Sequence, residues 1–184
     1  MKRILILVLA LLAIATPAFA NYYGWTISSS QTDPRAATGG IPSGGLAHLY
    51  LWYYCNAGGG MSAADFGLAA TGVVFAGFST LNGFLNAGSG TNLLLAVGGC
   101  PTGPIAAGDI TVFYFGGPGS MCIVNSINNI RVTVDCTSPT PSAWDLHANG
   151  WDALTAPACY EVGPGCGGDA VEPHNWGGVK SLYR

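Results

Sequence analysis

Glycine, asparagine, serine and proline interrupt this chain so often that its apolar runs are short and recur about every ten residues, the pattern of a sandwich or barrel of short strands. Twenty-eight glycines and sparse charge would on their own suit a disordered chain. A hydrophobic fraction of 49% with 11% aromatic residues instead supplies the apolar surface a core requires. The fold class expected is all-β: a two-sheet antiparallel sandwich, stapled by disulfides and irregular at its termini.

Particular runs carry that expectation. Leu46 to Tyr54 (LAHLYLWYY) is dense in aromatics on both alternating faces and is expected to be a central strand buried on both sides. Met61 to Ala70 mixes alanines with an alternation around Phe66 and Leu68, and Gly67 together with its β-rich surroundings favours strand over helix. Val73 to Phe78, Asn92 to Val97 and Asp109 to Phe115 follow as further strands. Met121 to Val124 and Ile130 to Val134 flank five residues, Asn125 to Asn129, suited to the loop of a hairpin. Residues 137–141, rich in Thr, Ser and Pro, form a candidate boundary before one or two closing strands.

Residues 1–20 have the order of a cleavable export signal: Lys2 and Arg3, an apolar run from Ile4 to Ala15, Pro17, then Ala18-Phe19-Ala20. The apolar run is shorter than the ~20 residues a membrane-spanning helix needs. Asn21, not cysteine, follows the expected cut, which disfavours a lipid-anchored lipoprotein. The expected organisation is therefore a signal peptide over 1–20, an N-terminal arm or irregular first edge over 21–45, a sandwich domain over 46–171 and a tail over 172–184. An exported location, whether periplasm, extracellular space or cell surface, follows from the same segment.

After cleavage four cations (Arg35, Arg131, Lys180, Arg184) face nine acids. So few cations cannot neutralise a phosphate backbone or an anionic leaflet, so nucleic acid and membrane surfaces are excluded as partners. Outside the cytoplasm Cys55, Cys100, Cys122, Cys136, Cys159 and Cys166 are all free to pair, in any of fifteen connectivities. Consecutive pairing is preferred: Cys122 to Cys136 across the expected hairpin, Cys159 to Cys166 across CYEVGPGC, and Cys55 to Cys100 at one rim. The nearest two cysteines are separated by six intervening residues with no matching histidine pair, which argues against structural zinc.

No catalytic constellation stands out. His48, His147 and His174 are expected to be packed or surface residues, and neither a Gly-x-Ser-x-Gly elbow nor a His-Glu-x-x-His helix occurs. The acids Asp65, Asp109, Asp135, Asp145, Asp152, Glu161, Asp169 and Glu172 are scattered, leaving only a structural calcium site or a carboxylate-based hydrolase as weaker alternatives. No cofactor is expected. Trp144 and Trp151, in polar surroundings, are the candidates for a contact surface that would meet an extracellular glycan or protein. Trp176, Lys180, Leu182, Tyr183 and Arg184 form a compact aromatic and basic tail motif, read as a docking segment or a sorting signal.

The blocks LYLWYYCNAGGGMSAADFGL and LNAGSGTNLLLAVGGCPTGP and the ending VEPHNWGGVKSLYR resemble a group of uncharacterised exported bacterial proteins that close on Val-Glu-Pro, Trp-Gly, Lys and Leu-Tyr-Arg. More remotely, a strand, then Gly-Met-Ser-Ala-Ala-Asp-Phe, a Gly-rich middle and the late strand Gly-Asp-Ile-Thr-Val-Phe-Tyr-Phe are similar to cohesin-like and carbohydrate-binding sandwich modules. That likeness implies a jelly-roll or cohesin-like sandwich used for adhesion or scaffolding without catalysis.

Overall fold

The computed structural model describes residues 23–55, 60–137, 140–154 and 158–159, and the backbone of 174–175. Those residues form strands and loops and contain no helix. The strands are β1 (Tyr23–Ser28), β2 (Gly45–Cys55), β3 (Met61–Thr71), β4 (Val74–Thr80), β5 (Phe84–Asn86), β6 (Asn92–Val97), β7 (Ile105–Tyr114), β8 (Ser120–Val124), β9 (Val132–Asp135), β10 (Ser142–Asn149), β11 (Trp151–Asp152) and β12 (His174–Asn175). One layer runs β4-β7-β2-β1, and β10 and β9 carry the hydrogen bonding round to β3, which heads the second layer with β6, β5 and β8. All pairings are antiparallel except β1 with β10, so the strands make a nearly closed β-sandwich.

Alternation builds the core. Ala47, Leu49, Leu51 and Tyr53 of β2, Ala64, Phe66 and Leu68 of β3, Leu93 and Leu95 of β6, and Ile110 and Val112 of β7 turn inward and are buried. Trp25 of β1 sits among them, with ring centroids 5.1 Å from Phe66 and 5.5 Å from Tyr53. Its indole N–H donates to Thr133 Oγ1 at 2.9 Å, which pairs a polar atom that burial would otherwise leave unsatisfied.

Several expectations need correction. Residues 23–28 belong to no arm or outer edge: β1 lies between β10 and β2 and all six of its residues are buried. The alternation of Tyr23, Trp25 and Ile27 is a strand signal, and the polar stretch that follows obscures it. Only residues after Ser28 run irregularly, folded back by bonds such as Ser29 N to Ala36 O at 2.7 Å. The start of β2 also departs from the doubly buried strand expected, since Leu46 and His48 face solvent.

β8 and β9 do not form a hairpin. Both pair with the same edge of β3, Gly67 with Val124 and Asp65 with Val132, so they lie end to end with residues 125–131 looping out between them. The Thr/Ser/Pro stretch is likewise no boundary, because β10 follows it into the same sheet. Asp135 fastens the two sides: its carboxylate accepts bonds from Thr137 N at 3.1 Å, Thr137 Oγ1 at 2.7 Å, Ser142 N at 2.7 Å and Trp144 Nε1 at 2.9 Å.

The end-to-end arrangement also overturns consecutive cysteine pairing. With no hairpin, Cys122 and Cys136 have no reason to meet; Cys100 bonds Cys136 and Cys122 bonds Cys159, with Cα atoms 5.9 and 5.7 Å apart. These bonds exclude both Cys55–Cys100 and Cys159–Cys166. Each closes a span of 36 or 37 residues, for which chain entropy gives about 4 kcal/mol. The Cys55 side chain and Cys166 lie outside the described residues, as does the expected signal segment.

Candidate functional site

The outward side of the second layer carries small and apolar residues and a single acid on β3, Asp65. On β3 the outward residues are Ala63, Asp65, Gly67 and Ala69, and their neighbours on β6 are Ala96, Leu94 and Asn92. Leu85 of β5 stands opposite Ala96. Leu85 is 70% exposed and Leu94 40% exposed, although both are large apolar side chains.

Across this face lies the loop of residues 125–131. Its turn is closed by Ser126 N to Ile130 O at 2.7 Å and Asn129 N to Ser126 O at 2.9 Å, with Asn129 at φ 59. Asn tolerates that left-handed geometry better than most residues. The loop is tied down by Ile127 N donating to Asn92 Oδ1 at 2.8 Å, while Asn128 Nδ2 lies 3.5 Å from Asp65 Oδ2. Gly67 makes room beneath, because a Cβ there would stand 2.6 Å from the Asn125 carbonyl oxygen. The result is an apolar side chain, Ile127, 86% exposed on a loop fastened to Asn92, on the layer whose outward side also carries Leu94 and Leu85.

The opposite outer face carries a second apolar group. Leu46, Phe113 and Val74 face one another across β2, β7 and β4, and Phe115 stacks on Phe113 with centroids 6.5 Å apart. Further along, His48 Nδ1 meets Asp109 Oδ1 at 2.9 Å and Oδ2 at 3.0 Å. This pair is a surface cross-strand ion pair when the histidine is protonated, of the kind worth little in stability.

Of the two tryptophans singled out from sequence, Trp151 is too deeply buried to offer a contact surface, and Trp144 is only partly accessible. Trp151 is fully buried, its indole N–H donating to Gly39 O at 2.8 Å and its ring edge-on to Tyr114. Trp144 is half-buried, its ring 6.2 Å from Tyr23 and its N–H engaged by Asp135. Their polar neighbours occupy the other face of the same strands, which makes the surroundings look exposed in sequence. Burial alone would raise the Asp135 carboxyl, but the bonds from Ser142, Trp144 and Thr137 outweigh it and hold it below the usual carboxylate range. Burial pushes the phenols of Tyr23 and Tyr53 up, so both stay protonated.

Among the described residues no group of three or more His, Cys, Asp or Glu side chains is placed to hold a metal. Asp33 and Asp152 accept backbone N–H groups two residues on, from Arg35 at 2.9 Å and Leu154 at 2.7 Å. Glu161, Asp169, Glu172, Trp176, Lys180, Leu182, Tyr183 and Arg184 lie outside the described residues. The backbone of His174–Asn175 pairs antiparallel with Ser142 and Ala143. No described helix is long and apolar enough to cross a membrane.

Ile127, Leu94, Leu85 and the Leu46–Phe113–Phe115 group were not visible as site residues in the sequence. The one available signal was Ile127 itself, an aliphatic residue inside the polar run Asn-Ser-Ile-Asn-Asn with no strand face to serve.

No model of a known protein family and no curated protein matches the chain. Its fold is similar to the sixth cohesin of scaffoldin B from Acetivibrio cellulolyticus, solved in complex with a mutant Cel5 dockerin, at 12% identity over 73% of this chain and 99% of that one, with a TM-score of 0.52. It is similar also to the seventh ScaB type I cohesin from Pseudobacteroides cellulosolvens, at 11% identity over 77% of this chain and 99% of that one, with a TM-score of 0.53. At such identities the likeness establishes a cohesin-like sandwich and nothing about activity.

Proposed function

We propose that this domain is an exported, non-catalytic module that binds a protein partner through the outer face of β5, β6, β3 and the 125–131 loop, as a scaffolding or adhesion unit. The observation that carries this is Ile127, projecting 86% exposed from a loop fastened to Asn92. An apolar side chain carried on an already fastened backbone needs less ordering on docking, and burying it removes its apolar area from water. Leu94 and Leu85 add exposed apolar area on β6 and β5.

The cohesin-like fold supports a scaffolding role, and one of the two structural neighbours was solved bound to a protein module. The two long-span disulfides support an extracellular setting. A signal peptide over 1–20 remains the proposed route of export. Pairing of His174–Asn175 with β10 supports a docking role for the tail over a sorting role. The alternative, a small secreted hydrolase, is disfavoured because Asp33, Asp135 and Asp152 are committed to local hydrogen bonds.

The test immobilises the oxidised domain and presents a panel of dockerin modules and the extracellular proteins of the producing organism. Wild type is expected to retain a partner, the double variant Ile127→Asp/Leu94→Asp to lose at least about tenfold in affinity, and Phe113→Ser to retain it. Binding indifferent to the double variant would overturn the proposal. So would hydrolytic turnover abolished by replacing one acid or histidine.

A further inference from the structure

A tryptophan stands on the solvent side of the first layer. Leu51 and Tyr53 point into the core, so Trp52 between them points outward, yet it is only 7% exposed. Two features of the fold enclose it. The register of β2 against β7 slips between Leu51, opposite Gly108, and Trp52, opposite Ala106, so β7 carries an extra residue at Ala107. Such bulges re-aim side chains and are common beside binding sites. The turn after β4 caps this one, with Leu81 N donating to Ala107 O and Asn82 Nδ2 donating to Ala106 O, both at 2.9 Å. On the other side the segment after β1 closes in, and Trp52 Nε1 donates to Ser30 O at 3.1 Å, fixing the indole.

The space left is a cleft of about 470 Å³. Its apolar lining is Trp52, Pro104, Ile105 and Ala106, and its polar lining is Gln31, Thr32 and Asn82. That volume is in the range of small-molecule sites. The chemistry of the lining selects among ligands. No ionisable side chain contributes, so an anion or a metal ion would find no opposing charge to repay its desolvation. A purely apolar ligand would leave the polar rim of Gln31, Thr32 and Asn82 unused, although Thr32 Oγ1 already shares a hydrogen bond with Ser30 Oγ at 3.2 Å. Asn82 has committed one amide N–H to Ala106, which leaves the other to donate and its oxygen to accept, and Gln31 likewise offers both donor and acceptor.

We propose that this cleft binds a neutral saccharide, one or two rings in size, laid with a C–H face against Pro104, Ile105 and the exposed edge of Trp52 and its hydroxyls toward Gln31, Thr32 and Asn82. A pyranose combines the two surfaces the cleft requires, apolar on one face and dense in neutral donors and acceptors round its edge. The site is independent of the protein-binding face, since it lies on the other layer and shares no residue with it.

The experiment titrates the full-length oxidised protein, isotopically labelled, with glucose, galactose, N-acetylglucosamine and their disaccharides, beside glucuronate and a neutral tetra-alanine peptide as comparators. The readout is the Trp52 indole N–H and the amides of Gln31, Thr32 and Ile105. At least one neutral sugar is expected to shift these signals saturably. The double variant Gln31→Ala/Thr32→Ala, at two exposed positions, is expected to bind it at least about tenfold more weakly because two hydrogen bonds are lost. The proposal is overturned if none of the neutral sugars shifts these residues, if the double variant binds as well as wild type, or if glucuronate or the peptide binds there more tightly than every neutral sugar.

Discussion

The side-chain oxygen of Asn92 accepts the backbone N–H of Ile127 at 2.8 Å, tying a strand residue to the most exposed apolar side chain among the described residues, thirty-five positions away in sequence. The bond makes the 125–131 loop part of the β6 surface. Asn92→Ala removes it without touching the core, so the fold is expected to survive while the Ile127 amide loses hydrogen-exchange protection. Partner affinity should fall by about fivefold, the worth of one modest hydrogen bond. Unchanged protection at Ile127 would show that the loop is held by something else.

A second expectation concerns acid. The Asp135 carboxyl titrates below its ordinary value when folded, so its contribution to stability is complete above the unfolded carboxylate pKa of about 3.9 and is lost as the pH falls through the folded value. Denaturant midpoints measured from pH 6 down to pH 2 should decline for wild type. Asp135→Asn should be less stable at neutral pH, because an amide cannot accept all the bonds that Thr137, Ser142 and Trp144 donate, and its decline below pH 4 should be shallower. Equal slopes for the two proteins would remove Asp135 from the account.

The core makes its own prediction at Thr133. Thr133→Val keeps the shape of the side chain but leaves the Trp25 indole N–H buried without its acceptor, at a cost of about 1–3 kcal/mol. Chemical denaturation followed by intrinsic tryptophan fluorescence is the check, and a loss well below 1 kcal/mol would mean that water or another acceptor replaces the hydroxyl.

Peptide mapping of the unreduced protein should yield the crosslinks Cys100–Cys136 and Cys122–Cys159. Replacing either pair by serine should lower stability by about 3–4 kcal/mol, since each bond closes a long span of chain. Recovery of Cys122 linked to Cys136 would contradict the end-to-end placement of β8 and β9.

How far the sequence could be read depended on whether the deciding contact was local. Asn92 to Val97 was legible as a strand because it is a compact apolar run set off by the turn-like residues 86–90, and Met61 to Ala70 because Phe66 and Leu68 outweigh the helix preference of the alanines. β1 was missed because the polar, proline-bearing residues after Ser28 mask an alternating aromatic strand. The supposed hairpin failed on a non-local fact: Val124 and Val132 each found β3 rather than one another. The disulfide map and the burial of Trp151 depend on that same long-range pairing. Ile127 was legible only as an oddity, since nothing local says that its loop is pinned across β3 and β6.

Hydrogen-exchange footprinting of the domain with its captured partner tests the central claim most directly. Protection gained on binding is expected in residues 61–67, 92–97 and 125–131, with residues 46–50 and 109–115 unchanged. Protection confined to the Leu46, Phe113 and Phe115 side, or absent from the 125–131 loop, would contradict the assignment of the binding face.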